Sequence, residues 1–196
     1  VNIPAKEAVN MAEYDYVVST IEELTKAIDS VNASNTSATA ARKTIFIKNG
    51  EYYLGKEVGT GKSLVQLTCY NVSLIGESRD GVILYGETDG ISYPVLNLRD
   101  RTGFYLQDLT VRNDYDYGQE VLKGVAVAIY GGDKTIMKNV RMLSNQDTQV
   151  TGHRAYFEDC DIHGTVDFIC GAGDNYYYHT NLVLENRGGN VVVAPS

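Results

Sequence analysis

The sequence predicts an all-β chain folded as a parallel β-helix, with one helix that caps its N-terminal end. Three observations support this: a short strand pattern that recurs along the chain, an amphipathic helical segment before it, and frequent turn-forming glycine. Of the 196 residues, 43% are hydrophobic, 19 are glycine and three are proline. These proportions suit many short strands joined by tight turns. We expect a single β-helix domain over residues 1–196.

The first part of the chain is expected to cap the coils. Residues 1–15 are an N-terminal segment, and residues 16–40 carry the predicted capping helix and a polar loop. Thr20 followed by Glu23 is a capping-box signature for a helix start. The apolar residues that follow recur at helical spacing: Ile21, Leu24, Ala27, Ile28 and Val31. An amphipathic helix here can cover strand edges and core that the end of a stack would otherwise expose.

The coils themselves are predicted over residues 41–196, beginning with a strand at 44–47. A four-residue pattern recurs there: Asn or Asp, an apolar residue, any residue, and a second apolar residue. Such alternation with period two indicates strands with one buried face. The first residues of the five occurrences are Asn71, Asp108, Asn139, Asp159 and Asn181.

The spacing of this pattern sets the predicted coil length. Successive occurrences lie 37, 31, 20 and 22 residues apart. An interval of 20 to 22 residues fits one coil of three short strands plus turns, and the longer intervals fit the same coil with an inserted loop, such as residues 113–118. A β-sandwich with chance similarity is the alternative, which five repetitions disfavour.

Charge and composition argue against several classes of protein. The net charge of −8, without any strongly basic segment, disfavours a nucleic-acid partner, because phosphate binding needs clustered Lys and Arg. No apolar run is long enough for a membrane span. Cys69, Cys160 and Cys170 are too few for a disulfide framework. Cys160 falls on an apolar repeat position and is expected in the core.

Two carboxylates stand out by their spacing. Asp147 and Asp167 are 20 residues apart, the interval that also separates Asn139 from Asp159. If that interval is one coil, the two carboxyls face each other on adjacent strands about 4.8 Å apart. Such close carboxylates cannot both ionise freely, which suits an acid and a nucleophile. Gln146 offers amide donors to an oxyanion. The structural alternative is that both aspartates cap turns.

The residues around the aspartates resemble a known family. Residues 146–148 (Gln-Asp-Thr), followed by residues 164–169 (Gly-Thr-Val-Asp-Phe-Ile), are similar to the two signature motifs of pectin methylesterases. Residues 45–53, 72–77 and 103–113 also match, so the resemblance covers roughly residues 16–196. It implies a right-handed parallel β-helix and an enzyme that removes methyl esters from polygalacturonate.

The resemblance also implies a mechanism and a partner. Asp167 attacks the ester carbonyl to give an acyl-enzyme, while Asp147 protonates the departing methanol and then activates water. Gln146 stabilises the tetrahedral oxyanion. No metal or organic cofactor is implied. The expected partner is pectin or a related esterified uronate polysaccharide, met outside the cytoplasm, so a secreted, periplasmic or cell-surface location is expected. Residues 1–7 do not have the basic and then apolar pattern of a signal peptide. A chain whose signal peptide has been removed would look the same.

Several positions depart from the family pattern. Val150 and Cys170 stand three residues after each aspartate, where the family has groove aromatics, and with Phe168 they are expected to bind substrate. The place of a second oxyanion glutamine holds Gly124, and Gln119 could substitute only if its loop shifts. The family continues with coils that carry an arginine and a groove tryptophan. Neither can be assigned here, so C-terminal coils are expected to be absent and the chain alone to have weak or no activity.

Other functions remain open at this stage. One is a non-catalytic carbohydrate-binding β-helix, which Gly124, Val150 and Cys170 make plausible. Another is a polysaccharide hydrolase or lyase, since retaining hydrolases also use carboxyls about 5 to 5.5 Å apart. Metal binding is disfavoured because the three histidines lie on different coils: His153, His163 and His179. Three asparagines stand in glycosylation-type triplets: Asn32, Asn35 and Asn71.

Overall fold

The computed structural model describes residues 13–115, 124–186 and 191–195. One helix and 17 strands lie within these residues. In chain order they are β1 (Tyr16–Val18), α1 (Ile21–Ser34), β2 (Lys43–Ile47), β3 (Gly50–Glu57), β4 (Val65–Leu67), β5 (Val72–Gly76), β6 (Val82–Thr88), β7 (Leu96–Leu98), β8 (Tyr105–Asn113), β9 (Val127–Ile129), β10 (Thr135–Leu143), β11 (Gln149–Thr151), β12 (Ala155–Glu158), β13 (Asp161–Gly164), β14 (Val166–Gly171), β15 (Asn175–Tyr178), β16 (Asn181–Leu184) and β17 (Val191–Pro195).

These strands form the three faces of a right-handed parallel β-helix. The first face has the order β1-β2-β5-β8-β10-β12-β15, and the third face has the order β4-β7-β9-β11-β14-β17. The second face contains β3, β6, β13 and β16, joined through the later halves of β8 and β10. Every pair between these strands is parallel, which confirms the predicted fold class and excludes an antiparallel sandwich.

The core fills the space between the faces. One inward column of the first face contains Leu74, Leu106, Met137 and Phe157, which pair in register and are fully buried. Cys160 is also fully buried in this core, as the repeat predicted. The three cysteines are free thiols. No helix within the described part of the chain has the length and apolar character needed to cross a membrane.

The corner between the first and second faces corrects part of the predicted repeat. Asp108, Asn139, Asp159 and His179 stack there, all with positive φ between 48° and 54°. Such a left-handed residue redirects the chain, and Asn and Asp tolerate it best. Three of the five predicted repeat starts therefore align as expected.

The other two repeat starts do not belong to that corner. The register Ser73↔Tyr105 aligns Asn71 with the residues that precede the first face, and Asn181 pairs with Asp161 inside the second face. The true equivalent on the last coil is His179, 20 residues after Asp159. Apolar alternation after Asn fits a strand and a corner equally, so the pattern alone could not separate the two.

The N-terminal helix begins and ends as its sequence indicates. The Thr20 hydroxyl accepts a hydrogen bond from the Glu23 backbone N–H at 3.2 Å, and the Glu23 carboxylate accepts one from the Ser19 N–H at 2.8 Å. Its apolar stripe, Leu24, Ala27, Ile28 and Val31, is buried against the first coil. Strand β1, which the sequence pattern did not predict, precedes the helix and pairs with β2.

Candidate active site

The two candidate catalytic aspartates lie at the start of neighbouring third-face strands. Asp147 precedes β11 and Asp167 lies in β14, and these strands pair in the register Val150↔Cys170. The aspartates therefore stand three residues before paired positions, one coil apart. The Asp147 backbone N–H donates to the carbonyl of Val166 at 3.3 Å. Adjacent strands are about 4.8 Å apart, so both carboxyls arise within reach of one ester group.

Both aspartates hold the backbone in the left-handed region. Asp147 has φ of 57° and Asp167 has φ of 50°. Such non-glycine residues cost conformational energy and persist only where the surroundings impose them. The two side chains differ in burial, because Asp147 is 2% exposed while Asp167 is partly exposed. One carboxyl is thus enclosed and the other is accessible from the solvent.

The turns that carry the aspartates are fixed by neighbouring contacts. The Thr148 hydroxyl donates to the carbonyl of His163 at 2.8 Å, and the Thr165 N–H donates to the carbonyl of Asn145 at 2.8 Å. A Cβ at Gly164 would overlap the side chain of Phe168, so this position requires glycine. These contacts join the two turns to each other across the coil boundary.

Phe168 does not lie where the sequence analysis expected it. Its side chain is 0% exposed and belongs to the main core. It follows Asp167, whose left-handed backbone and the register shift between Val166 and Ile169 interrupt the alternation of the strand. Phe168 therefore packs beneath the site and is not carried into the proposed substrate groove.

Val150 and Cys170 lie next to each other, but both are largely buried. With Val125 and Ala128 they form a small apolar cluster separate from the main core. Val150 is only 4% exposed and Cys170 only 9%. The aromatic residue that packs on this cluster is Tyr130, so little of either predicted groove residue is left for a substrate.

Tyr130 packs beside the candidate site and was not predicted from the sequence. Its hydroxyl donates to the carbonyl of Ile91, which also packs on the apolar cluster. Burial raises the pKa of the Tyr130 hydroxyl, and the nearby Cys170 and Asp147 raise it further. The hydroxyl therefore stays protonated. The one sequence feature that could have indicated this contact is the position of Tyr130 two residues after Ala128, which places both side chains on the same side of the chain.

Gln146 and Gly124 are neighbours on adjacent coils. The Gly124 N–H donates to the carbonyl of Gln146 at 3.2 Å. The side-chain oxygen of Gln146 is buried and makes no hydrogen bond among the described residues. Gln119, the alternative donor weighed from the sequence, lies outside the described residues.

An open cavity of about 540 Å³ lies beside the turn that precedes Asp147, on the side of the second face. Ser144, Asn145, His163 and Glu185 are among its lining residues, and the two aspartates are not. His163 Nδ1 lies 2.7 Å from a carboxylate oxygen of Glu185. Among residues 13–115, 124–186 and 191–195, no cluster of three His, Cys, Asp or Glu side chains could hold a metal ion.

Comparisons with known proteins agree with this architecture. The family model for pectinesterase matches residues 14–191. Probable pectinesterase 56 of Arabidopsis thaliana is 32% identical over 161 residues, which are 78% of this chain and 52% of that protein. Pectinesterase A of Dickeya dadantii is 32% identical over 217 aligned residues, covering 93% of this chain and 57% of that protein.

A solved structure gives the same picture. A pectin methylesterase mutant crystallised in complex with a hexasaccharide is 27% identical, with a TM-score of 0.73 over 93% of this chain and 61% of that chain. This chain thus spans little more than half the length of these curated relatives. The match to the family model nevertheless extends over nearly all of its residues, and the chain belongs to the pectinesterase family.

Proposed function

We propose that this chain carries the catalytic aspartates of a carboxylic ester hydrolase that removes methyl esters from polygalacturonate and releases methanol. The observation that carries the proposal is the in-register placement of Asp147 and Asp167 on adjacent strands of one face. Membership of the pectinesterase family supports the substrate class. Pectin, or another esterified uronate polysaccharide, is the proposed partner, met in a secreted, periplasmic or cell-surface location.

The difference in burial supports one assignment of the two roles. Burial disfavours the charged form of a carboxyl, so the enclosed Asp147 is the proton donor and the accessible Asp167 is the nucleophile. A carboxylate oxygen of Asp167 forms a bond to the ester carbonyl carbon. The ester C–O bond then breaks as Asp147 gives its proton to the departing methoxide, which leaves as methanol.

The second half of the reaction reverses these roles. Asp147, now ionised, takes a proton from a water molecule, whose oxygen attacks the acyl-enzyme carbonyl. The bond to Asp167 breaks, which returns its carboxylate and releases the uronic acid. The side-chain amide of Gln146 donates to the oxyanion in both tetrahedral intermediates. Tyr130 and Ile91, which cover Val150 and Cys170, form the apolar side of the site.

The test is methanol release from highly methylated pectin. We expect Asp167→Asn and Asp147→Asn each to lower kcat by about a thousandfold or more, as loss of a nucleophile or its acid partner does. Asp174→Asn, the same change at an exposed aspartate, is the matched control. Pectin binding without methanol release by the unsubstituted protein would instead support a sugar-binding protein. New reducing ends or unsaturated products would support a hydrolase or a lyase.

A further inference from the structure

A polar layer interrupts the apolar core directly beneath the two aspartates. The inward column of the third face pairs Leu96, Val127, Gln149 and Ile169 in register. Gln149 is the polar member of this column, and it is 0% exposed. It stands two residues after Asp147, at the start of β11.

Gln149 is bonded across the interior to the next coil. The Tyr177 hydroxyl donates to the side-chain oxygen of Gln149 at 3.0 Å. Beside this pair, the Asn175 amide donates to the Thr151 hydroxyl at 2.6 Å. Asn175 and Tyr177 lie on β15, the strand that follows β14 and therefore follows Asp167. Strand β11, which follows Asp147, is thus hydrogen-bonded to β15, the next strand after Asp167.

The backbone and the packing strengthen this tie. The Gly173 N–H donates to the carbonyl of Thr151 at 3.0 Å, and a Cβ at Gly171 would overlap the same carbonyl. The Tyr177 ring stacks on Phe157, with 4.8 Å between ring centroids. Burial raises the pKa of Tyr177 to about 12, so its hydroxyl stays a donor at every working pH.

Stability does not explain a glutamine at this position. The Gln149 side-chain nitrogen makes no hydrogen bond among the described residues, and neither does the side-chain oxygen of Asn175. A buried amide donor without a partner destabilises a core, and an apolar side chain of similar volume would pack without that penalty. Violations of core patterning concentrate at functional sites.

We propose that Gln149 and Tyr177 are positioning residues that set the spacing of Asp147 and Asp167. This role rests on the proposed esterase function, because it concerns the geometry of the same two carboxyls. Asp147 is held in a left-handed backbone conformation only two residues from Gln149. Release of the Gln149–Tyr177 bond lets β11 shift against β14, and small displacements of catalytic groups are costly to rate.

Two variants and a control test the positioning role. Tyr177→Phe keeps the ring on Phe157 and removes the hydroxyl. Gln149→Met keeps the side-chain length and removes the unpartnered amide. We expect both to lower kcat about tenfold with KM within about twofold. Gln149→Met combined with Tyr177→Phe, which leaves neither side chain with an unpartnered polar group, should match or exceed the Tm of the unsubstituted protein. Tyr176→Phe, on the same strand but 62% exposed, should change neither quantity.

A double variant and a measurement without turnover complete the test. Because the two residues act as one unit, Gln149→Met with Tyr177→Phe should lose no more kcat than either change alone. The ¹³C chemical shifts of the Asp147 and Asp167 carboxyls should move in both single variants and stay in place in Tyr176→Phe.

The outcomes separate this role from the esterase function. Carboxyl shifts that move, in a protein that releases no methanol, keep the positioning role and reject the esterase. Folded Gln149→Met and Tyr177→Phe proteins with unmoved carboxyl shifts overturn the positioning role. If methanol is released, a kcat in both variants equal to that of the unsubstituted protein overturns it as well.

Discussion

The backbone N–H of Gly124 donates to the carbonyl of Gln146 at 3.2 Å, so these residues lie side by side on adjacent coils. A glutamine at position 124 would therefore place a second amide next to that of Gln146. Gly124 does not have a positive φ, and its nearest neighbours for a Cβ are the Ser144 hydroxyl at 3.1 Å and the Asn113 amide at 3.3 Å. Both are side-chain atoms, so a shift of a few tenths of an ångström accommodates the Cβ.

Gly124→Gln should increase the rate of methyl-ester hydrolysis. A preorganised oxyanion donor contributes about a hundredfold or more to kcat where it is native, so an introduced one is expected to give on the order of tenfold. Methanol release at saturating pectin measures it. Gly124→Met, of similar length without a donor, is the control. A folded Gly124→Gln protein with unchanged kcat would count against Gln146 as the oxyanion donor.

Asparagines 32, 35 and 71 should carry no N-glycan in the folded protein. Their side-chain nitrogens already donate: Asn32 to Gln66, Asn35 to Tyr70 and Asn71 to Ala40, each carbonyl at 2.9 Å. Glycosylation replaces one of the two amide hydrogens by a sugar, and Asn35 and Asn71 each use both hydrogens in hydrogen bonds to backbone carbonyls. The Asn32 amide is held through both its nitrogen and its oxygen, so a sugar would displace it as well. The measurement is the mass of protein secreted by a eukaryotic host, before and after N-glycosidase treatment.

A positive control for glycosylation can be built in an exposed loop. Gly61→Asn creates an acceptor triplet with Ser63, at a position with φ of 72° that asparagine tolerates. We expect this variant to gain one glycan. A native-folded protein that carries glycan at any of the three natural triplets would contradict the hydrogen bonds described for them.

The N-terminal cap of α1 should contribute measurably to stability. Thr20→Ala removes the acceptor for the Glu23 N–H, and such a loss costs about 1 kcal/mol of unfolding free energy. Urea denaturation measures the change. Thr25→Ala, an exposed position inside the same helix, is the control and should cost nothing. Equal stability of Thr20→Ala and the unsubstituted protein would mean that packing of the apolar stripe alone holds the helix.

Acid should remove a specific stabilising contact on the surface. The Arg154 guanidinium donates to the Asp133 carboxylate, and its charge and backbone N–H add to this, so the pKa of Asp133 lies well below its usual range. A depressed folded pKa gives stability that is present above the unfolded value, about 3.9, and is lost as pH falls towards the folded value.

Thermal melts between pH 7 and pH 2 test this linkage. Asp133→Asn should melt below the unsubstituted protein at pH 7, and the gap should narrow below about pH 4. Asp29→Asn, on the exposed side of α1, is the control for a general charge effect. A gap that stays constant with pH would show that the carboxylate charge of Asp133 does not stabilise the fold.

The sequence by itself determined the features that depend on local pattern and on spacing along the chain. Period-two alternation marked strands such as β8 and β10, and the Thr20–Glu23 pair marked the start of α1. The 20-residue spacing of Asp147 and Asp167 predicted that they share one place on adjacent coils, because a stack of parallel strands converts sequence interval into register.

Only the tertiary structure decided which side of each strand faces the core. From Asp108 onwards a left-handed residue resets the alternation at the corner between the first and second faces, so Asn71 and Asn181 seemed equivalent to Asp108 without being so. The left-handed Asp167 resets the alternation on the third face, and Phe168 after it lies in the core. The contacts of Tyr130 with Ile91 and of Tyr177 with Gln149 join residues 39 and 28 positions apart. They depend on how the coils stack, which no local pattern encodes.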